Sequence, residues 1–378
     1  MRATRGLGGE VLRRLRDTGP QTKAQLAAGF DVPRTTLAGT LRQLVADGLV
    51  DDGPVAPSSG GRRSVSVRIQ PDLRFVAVSI GERRIRVAAL GGHLAITSGH
   101  SIDLAEHGDD VDAVGSTVLD AVADVVDGAR PLALAMAAPD LAAPFAEALR
   151  ARLADHLPDI DHVALSAVRA MALGERHSGA ATGLTDVVAV RLGHSVTSAT
   201  IAGGRLARGA ASAAGEIGHL RVEEFGPSCT CGRTGCLDAY ASSAAVVARG
   251  RELAERGRSP RLTEILDAQG DLTLADVVAG AEGGDAAVVQ LAREAGQRLG
   301  PVVAGLVAHA NPSRVVLGGP VAALGMHLLG DVRAAAYRLA PPRAAEGVEI
   351  VLSERGERAV LVGAGIEAFE AWTRDLAT

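Results

Sequence analysis

Three cysteines crowded into one short stretch constrain this chain more than any other feature. Cys229, Cys231 and Cys236 are the only cysteines in 378 residues, and all three lie between residues 215 and 242. His219 precedes the first of them by ten positions. Three thiolates and one imidazole complete a tetrahedral ligand set, so His219, Cys229, Cys231 and Cys236 are expected to hold a structural zinc ion. Gly226, Pro227, Gly232 and Gly235 supply the sharp turns that let the sulfurs converge. Cysteines serving only as core filler would be scattered along the chain rather than gathered among glycines. A disulfide framework fits poorly, because one cysteine would be left over and no secretory signal precedes it.

The chain is long enough for two or three domains. Its 47% hydrophobic and 22% charged content fits an ordinary globular protein. Aromatic residues make up 2%, so the cores must be built from Ala, Val and Leu. The longest uncharged runs, near 299–313 and 315–330, are broken by Pro and Gly and are too short to span a bilayer. The first ten residues have no apolar signal core. The expectation is a cytoplasmic protein without a membrane partner. Charge is uneven: residues 1–70 carry 11 Lys and Arg against 6 Asp and Glu, whereas the whole chain has a net charge of −5. A basic head on an acidic body suggests that only the head meets a polyanion.

In the head, residues 9–18 place Val11, Leu12 and Leu15 on one helical face, and Gly19-Pro20 stops the helix. Thr22 and Gln25 form a capping-box pattern that opens a second helix. After a turn at 29–32, Pro33 begins a third helix over 33–46 that turns Leu37, Leu41 and Leu44 inward. Its other face carries Arg34, Thr35, Thr36, Thr40 and Arg42, the expected base or phosphate contacts of a helix-turn-helix whose second helix enters the major groove. Leu49-Val50, a loop over 51–63 and an alternating strand over 64–69 read as a β-wing, with Arg62 and Arg63 at its tip aimed at phosphates or a minor groove. The alternative is a three-helix protein-interaction module with a solvated polar face, and an arginine pair in a Gly-rich loop can equally be plain surface. Helices, wing and charge together favour double-stranded DNA.

From residue 71 onward strands and helices alternate, which argues an α/β body. Strands are expected at 75–80, 84–90, 94–104, 132–137 and 163–166, with helices at 111–126, 144–156 and 168–177. A second strand set opens at 187–192, 197–202 and 205–208. The cysteine stretch and a mostly helical region follow, then strands at 314–318 and 348–353 and a helix from about 357. Two lobes with similar sheet openings fit this order.

Taken together, the chain resembles the ROK family of repressors, open reading frames and sugar kinases. The resemblance rests on Glu216-x-Gly-His219 followed by Cys229-x-Cys231-Gly-x-x-Gly-Cys236, and on Asn311-Pro312, Leu317-Gly318-Gly319 and Gly363-Ala364. It implies a winged helix-turn-helix over 1–70 and a two-lobed actin-like, sugar-kinase-like body. The first lobe would span 71–165, completed by the C-terminal helix 357–378. The second, 166–356, would hold the zinc loop and an oligomerisation surface. The regulator branch implies a DNA operator, a small-molecule effector and a homodimer or tetramer. Glu216 and His219 are the implied ligand-binding residues, with the histidine doubling as a metal ligand; Glu216 could instead brace the zinc loop.

Kinase chemistry is not expected. The family's first phosphate loop is replaced by Ser79-Ile80-Gly81-Glu82-Arg83, and its second reads Gly193-His194-Ser195. Ser166 and Ala167 stand where its catalytic Asn-Asp pair belongs, and an alanine cannot act as a general base. The sugar pocket is eroded too, since Asp238 replaces a glutamate and Arg249 falls near a further one. The expected function is a DNA-binding transcriptional regulator, a repressor without kinase activity, whose degenerate pocket senses a non-standard ligand or none. Arg83, Arg84, Arg169 and Arg249 would suit an anion if they faced the cleft. The alternatives are a sugar-responsive repressor of carbohydrate genes, an ATP-dependent sugar kinase that kept a DNA-binding head, and an architectural DNA-binding protein.

Overall fold

The computed structural model describes residues 6–55, 65–106, 110–139 and 144–376. They gather into two compact units, residues 1–165 with 364–378 and residues 166–363. Arg62, Arg63 and the tip of the expected wing lie outside the described residues.

In the first unit the head opens with α1 (Leu7–Thr18), which buries Val11, Leu12 and Leu15. A two-residue strand, β1 (Gln21–Thr22), leads into α2 (Lys23–Ala28). The capping box forms: Thr22 Oγ1 accepts from the Gln25 amide, and the Gln25 side chain accepts from the Thr22 amide. Helix α3 (Arg34–Ala46) buries Leu37, Leu41 and Leu44. The strands β2 (Val50–Val55) and β3 (Val65–Ile69) follow, and the small sheet has the order β1-β3-β2. Residues 51–55, expected as loop, are strand. Asp51 stands opposite Arg68 in the register and its carboxylate meets the guanidinium at 2.7 Å, so the polar pair supports an edge that hydrophobic alternation did not reveal.

The lobe of the first unit is built on β4 (Phe75–Ile80), β5 (Arg84–Leu90) and β6 (Ile96–Asp103), an antiparallel run. Helix α4 (Val111–Val126) crosses to β7 (Ala133–Ala138), which pairs parallel with β4, and α5 (Pro144–His156) leads to β8 (Asp161–Ser166). The sheet order is β6-β5-β4-β7-β8. Every β4 side chain is buried, as expected of a central strand covered on both faces.

The second unit repeats this plan. After α6 (Ala167–Ser178) come β9 (Val187–Leu192), β10 (Val196–Ala202) and the short β11 (Arg205–Leu206). The cysteine stretch ends in α7 (Asp238–Ala241), and helices α8 (Ser243–Glu255), α9 (Pro260–Gln269), α10 (Leu274–Glu282) and α11 (Ala286–Ala310) follow. Strand β12 (Arg314–Gly318), α12 (Met326–Leu339), α13 (Pro342–Ala345) and β13 (Glu349–Leu352) complete the sheet, ordered β11-β10-β9-β12-β13. In both sheets the first strand of the set is central, two antiparallel strands lie on one side, and two later strands lie on the other. The final helix, α14 (Glu357–Asp375), contains the division between the units at Ala364.

Among the described residues no helix is long and apolar enough to cross a membrane.

The first half of α14 touches α6 backbone to backbone. A Cβ on Gly363 would fall 1.7 Å from the Ala170 carbonyl oxygen, and one on Gly174 would fall 1.9 Å from that of Ala359. Gly363→Ala is therefore expected to destabilise the protein by about 3 kcal/mol, because the helices must separate. Gly305→Ala on α11 meets nothing within 4 Å and is expected to stabilise by up to about 1 kcal/mol. Urea unfolding of the two variants, followed by circular dichroism, checks both signs.

Candidate metal centre and nucleic-acid interface

The cysteine stretch folds as a tight knot between β11 and α8. Residues Ile217–His219 form a single 3-10 turn. Two antiparallel bridges, Arg221 with Cys236 and Ser228 with Thr234, fold the loop back on itself. The turn between them is closed by the Cys229 amide donating to the Arg233 carbonyl and the Gly232 amide donating to the Cys229 carbonyl. Gly235 has φ 70°, and a Cβ there would meet the Glu223 carbonyl oxygen at 1.8 Å, so no other residue fits the bridge.

This backbone brings His219, Cys229, Cys231 and Cys236 together with their ligand atoms all within 4.8 Å of one another. The Cys231 and Cys236 sulfurs are 3.7 Å apart, and the Cys229 sulfur is 3.7 Å from His219 Nδ1. Tetrahedral coordination with metal–sulfur bonds of about 2.3 Å and metal–nitrogen bonds of about 2.0 Å requires about 3.8 and 3.5 Å for these separations. The donor set therefore fits a four-coordinate metal ion, with Nδ1 as the imidazole ligand. Hydrogen bonds from the Arg233 backbone and side chain draw the exposed Cys231 thiol down to about 6, whereas burial pushes the Cys236 thiol up to about 11, helped by the neighbouring Cys231 and Cys229.

Asp238 fastens this knot to the sheet. Its buried carboxylate accepts from Ser195 Oγ at 2.7 Å and from the Val196 amide at 2.7 Å, and its Oδ2 lies 3.7 Å from His219 Nδ1. Gly218 lets the carboxylate in, since a Cβ there would sit 2.1 Å from Oδ1. At the far side of the loop, Tyr240 donates to Glu223 at 2.5 Å and the Arg298 guanidinium covers the tyrosine ring at 5.1 Å. Sequence reasoning noted Ser195 as a broken phosphate loop and Asp238 as a shortened carboxylate, but missed that the two departures are partners.

Glu216 is exposed, and its carboxylate has no partner among the described residues, so bracing of the loop falls to Asp238. Ser166 stands at the N-cap of α6 without a side-chain cap bond, and Ala167 after it is buried. Of the four arginines considered for an anion, Arg169 is buried and donates to the Arg208 and Ser212 carbonyls, Arg84 faces Asp103, and Arg249 lies between Glu252 and Glu294. Only Arg83 remains exposed without a partner among the described residues.

On α3, Thr35 and Arg42 are exposed and point away from the leucine face, while Arg34, on the leucine side of the helix, is exposed because it lies in the first turn. Thr36 and Thr40 are half-buried on its flank, and the Thr40 hydroxyl donates to the Thr36 carbonyl. The N-cap is Pro33, which offers no side-chain acceptor, so the first-turn amides of α3 lack a cap.

The sequence pattern of the ROK family matches residues 135–369. A glucokinase of Halalkalibacterium halodurans is 33% identical over 195 residues, a match covering 51% of this chain and 59% of that protein. The DNA-binding transcriptional dual regulator NagC of Escherichia coli is 24% identical over 374 residues, covering 93% of this chain and 89% of the regulator. Among solved structures, a ROK family transcriptional regulator described as a homologue of the E. coli MLC protein superposes with a TM-score of 0.81 at 20% identity, covering 100% of this chain and 98% of that one. A ROK family glucokinase from Streptomyces griseus superposes with a TM-score of 0.66 at 25% identity, over 78% of this chain and 98% of its own. The winged-head and two-sheet architecture is thus that of a known regulator fold, and the named kinases match less of the chain.

Metal uptake by the apoprotein is expected to release a proton from Cys236 throughout the neutral range, because its thiol stays protonated below about 11. Cys231, near 6, is already largely thiolate at pH 7.5 and contributes only as the pH falls towards that value. Affinity should therefore drop about tenfold per pH unit for each proton displaced, and more steeply below pH 6. Calorimetric titration of zinc(II) in two buffers of different ionisation enthalpy measures the protons. Asp238→Asn is expected to weaken metal affinity by about 10–100-fold in chelator competition.

Proposed function

The chain belongs to the ROK family, and from that membership, the basic head and the exposed face of α3 we propose that it is a DNA-binding transcriptional regulator, acting as a repressor and without kinase activity. One observation carries the reading. Helix α3 exposes Arg34, Thr35 and Arg42 and opens without a side-chain cap, so its first-turn amides and these guanidinium groups are available to phosphates and bases. Arg62 and Arg63 would extend the same contact from the wing. The full-length similarity to NagC supports this, as does the charge of the head.

Two features of the site speak against kinase chemistry. Ala167 occupies the position at which the family resemblance expects the general base, and Ser195 is committed to Asp238 rather than open to a phosphate. The metal at His219, Cys229, Cys231 and Cys236 is taken as structural zinc. It would supply no chemistry beyond cross-linking the loop, and the fourth ligand leaves no open position for a substrate. A homodimer or tetramer would present two heads to an operator with two half-sites. A second reading, release of DNA by a sugar, is favoured by Glu216, whose carboxylate is exposed three positions before the half-buried His219. By linkage such a ligand must bind the DNA-incompetent arrangement more tightly.

Fluorescence anisotropy of labelled DNA from upstream of the gene, at fixed salt and with a metabolite panel, tests the reading. Specific binding is expected, with Arg42→Ala costing about 1–3 kcal/mol at its base pair and Arg34→Ala lowering the salt slope by about one. Salt-insensitive or absent binding would refute it. A coupled assay with ATP and a hexose panel is expected to show no turnover; any turnover above background removes the claim that kinase activity is lost. If a sugar in the panel releases the DNA, the second reading holds.

A further inference from the structure

The head is not merely tethered to the lobe of its own unit. Helix α1 lies on the C-terminal half of α14, and one carboxylate takes two arginines from successive turns of α1. Glu370 Oε1 accepts from Arg16 Nη1 at 2.7 Å, and Oε2 lies 2.9 Å from Arg13 Nε in an ion pair without hydrogen-bond alignment. The Arg16 side chain is 7% exposed and its guanidinium lies 5.0 Å over the Phe369 ring. Phe369 in turn packs against Phe75 and Trp372 at 5.3 and 5.6 Å, so the arginine is seated on a rigid aromatic floor. Gly9 allows the helices to close, since a Cβ there would stand 2.6 Å from the Thr373 carbonyl oxygen.

A second contact lies at the other end of the head. The turn after β5 presses on the last head residues: a Cβ on Gly92 would meet the Gln70 carbonyl oxygen at 2.4 Å and Ile69 Cγ2 at 2.5 Å. Contacts through two elements of the head, α1 and the end of β3, restrain its orientation more than either would alone. Helix α3 shares the core of the head with α1, because Leu37, Leu41 and Leu44 are buried along with Val11, Leu12 and Leu15. Whatever holds α1 therefore aims α3.

We propose that Glu370 is a positioning residue for DNA recognition: by clamping Arg13 and Arg16 it fixes the direction of α3 against the lobe, and so sets the half-site spacing that two copies of the chain accept. This rests on the DNA-binding reading above. Glu370 itself touches no DNA in this scheme. Its loss should leave each α3 able to read a half-site while removing the geometric match that makes two half-sites bind together.

The test uses the full chain and its Glu370→Ala and Gly9→Ala variants, which loosen the contact from opposite sides. Half-sites are first selected from a random duplex library with the wild type. Binding is then measured to duplexes with one half-site and with two half-sites whose separation varies by single base pairs around about 10 bp or its multiples. The wild type is expected to prefer one spacing by at least about tenfold, and both variants to flatten that preference to within about threefold. Affinity for a single half-site should change less than about twofold in either variant. Hydrogen exchange, measured without DNA, is expected to rise in α1 of both variants, and Glu370→Gln, which keeps a hydrogen-bond acceptor for Arg16, should be intermediate. An unchanged spacing profile, or an equal loss on single and double half-sites, overturns the proposal. Failure of the wild type to select any DNA sinks the regulator reading instead, and the exchange of α1 then still decides whether the clamp exists.

Discussion

The second unit depends on a close crossing of two helices. Gly174 of α6 sits against the backbone at Ala359 of α14, and Gly363 of α14 sits against the backbone at Ala170 of α6, so each helix supplies the gap the other fills. Beside the crossing, Arg191 at the end of β9 pairs with Glu357 at the start of α14 at 3.0 Å, with the arginine almost wholly buried. Glu175, fully buried in α6, accepts from the Ala180 amide and from Ser353 Oγ just after β13. Sheet and helices of this unit are thus joined by backbone contact and by charges that would be expensive to leave unpaired. In a chain so poor in aromatic residues, shape at the backbone replaces bulk in the side chain.

The metal knot works on the same logic at smaller scale. Four ligand atoms converge because glycines at 218 and 235 admit a carboxylate and a carbonyl where side chains would collide. Asp238 then ties that knot to the β9–β10 turn through Ser195 and Val196. A loop with little apolar content of its own is fixed by coordination and hydrogen bonding, which are directional, rather than by burial, which is not.

Much of this was legible in the sequence. The spacing of His219, Cys229, Cys231 and Cys236 foretold the cluster, because few backbones can bring four such residues together by accident. Helix bounds were read well where caps and periodicity agreed, as at Val111–Val126 and Pro144–His156. The strand at Val50–Val55 was not, since its stabilising pair, Asp51 with Arg68, looks polar and loop-like in one dimension. The role of Asp238 was hidden for a related reason. Its partner Ser195 is 43 positions away, and a hydrogen bond across that distance leaves no periodic trace. Gly363 belongs to a pair that carries the family resemblance, and its physical meaning is packing. Glu370 carried no motif at all; its significance follows only from where α1 comes to rest.

The split of α14 between two compact units has a consequence for how the protein is made. Residues 1–165 emerge from the ribosome first, yet the unit they build is completed by residues 364–378, after all of the other unit has been synthesised. Until then Phe75 lacks Phe369 and Trp372, and Arg16 lacks Glu370. The nascent head can form its own small core, but of its two contacts with the lobe only the one at Gly92 is then available. Acquisition of its final orientation therefore waits until residues 364–378 have been made, so that a chain stopped before them would carry a head not fully held in place.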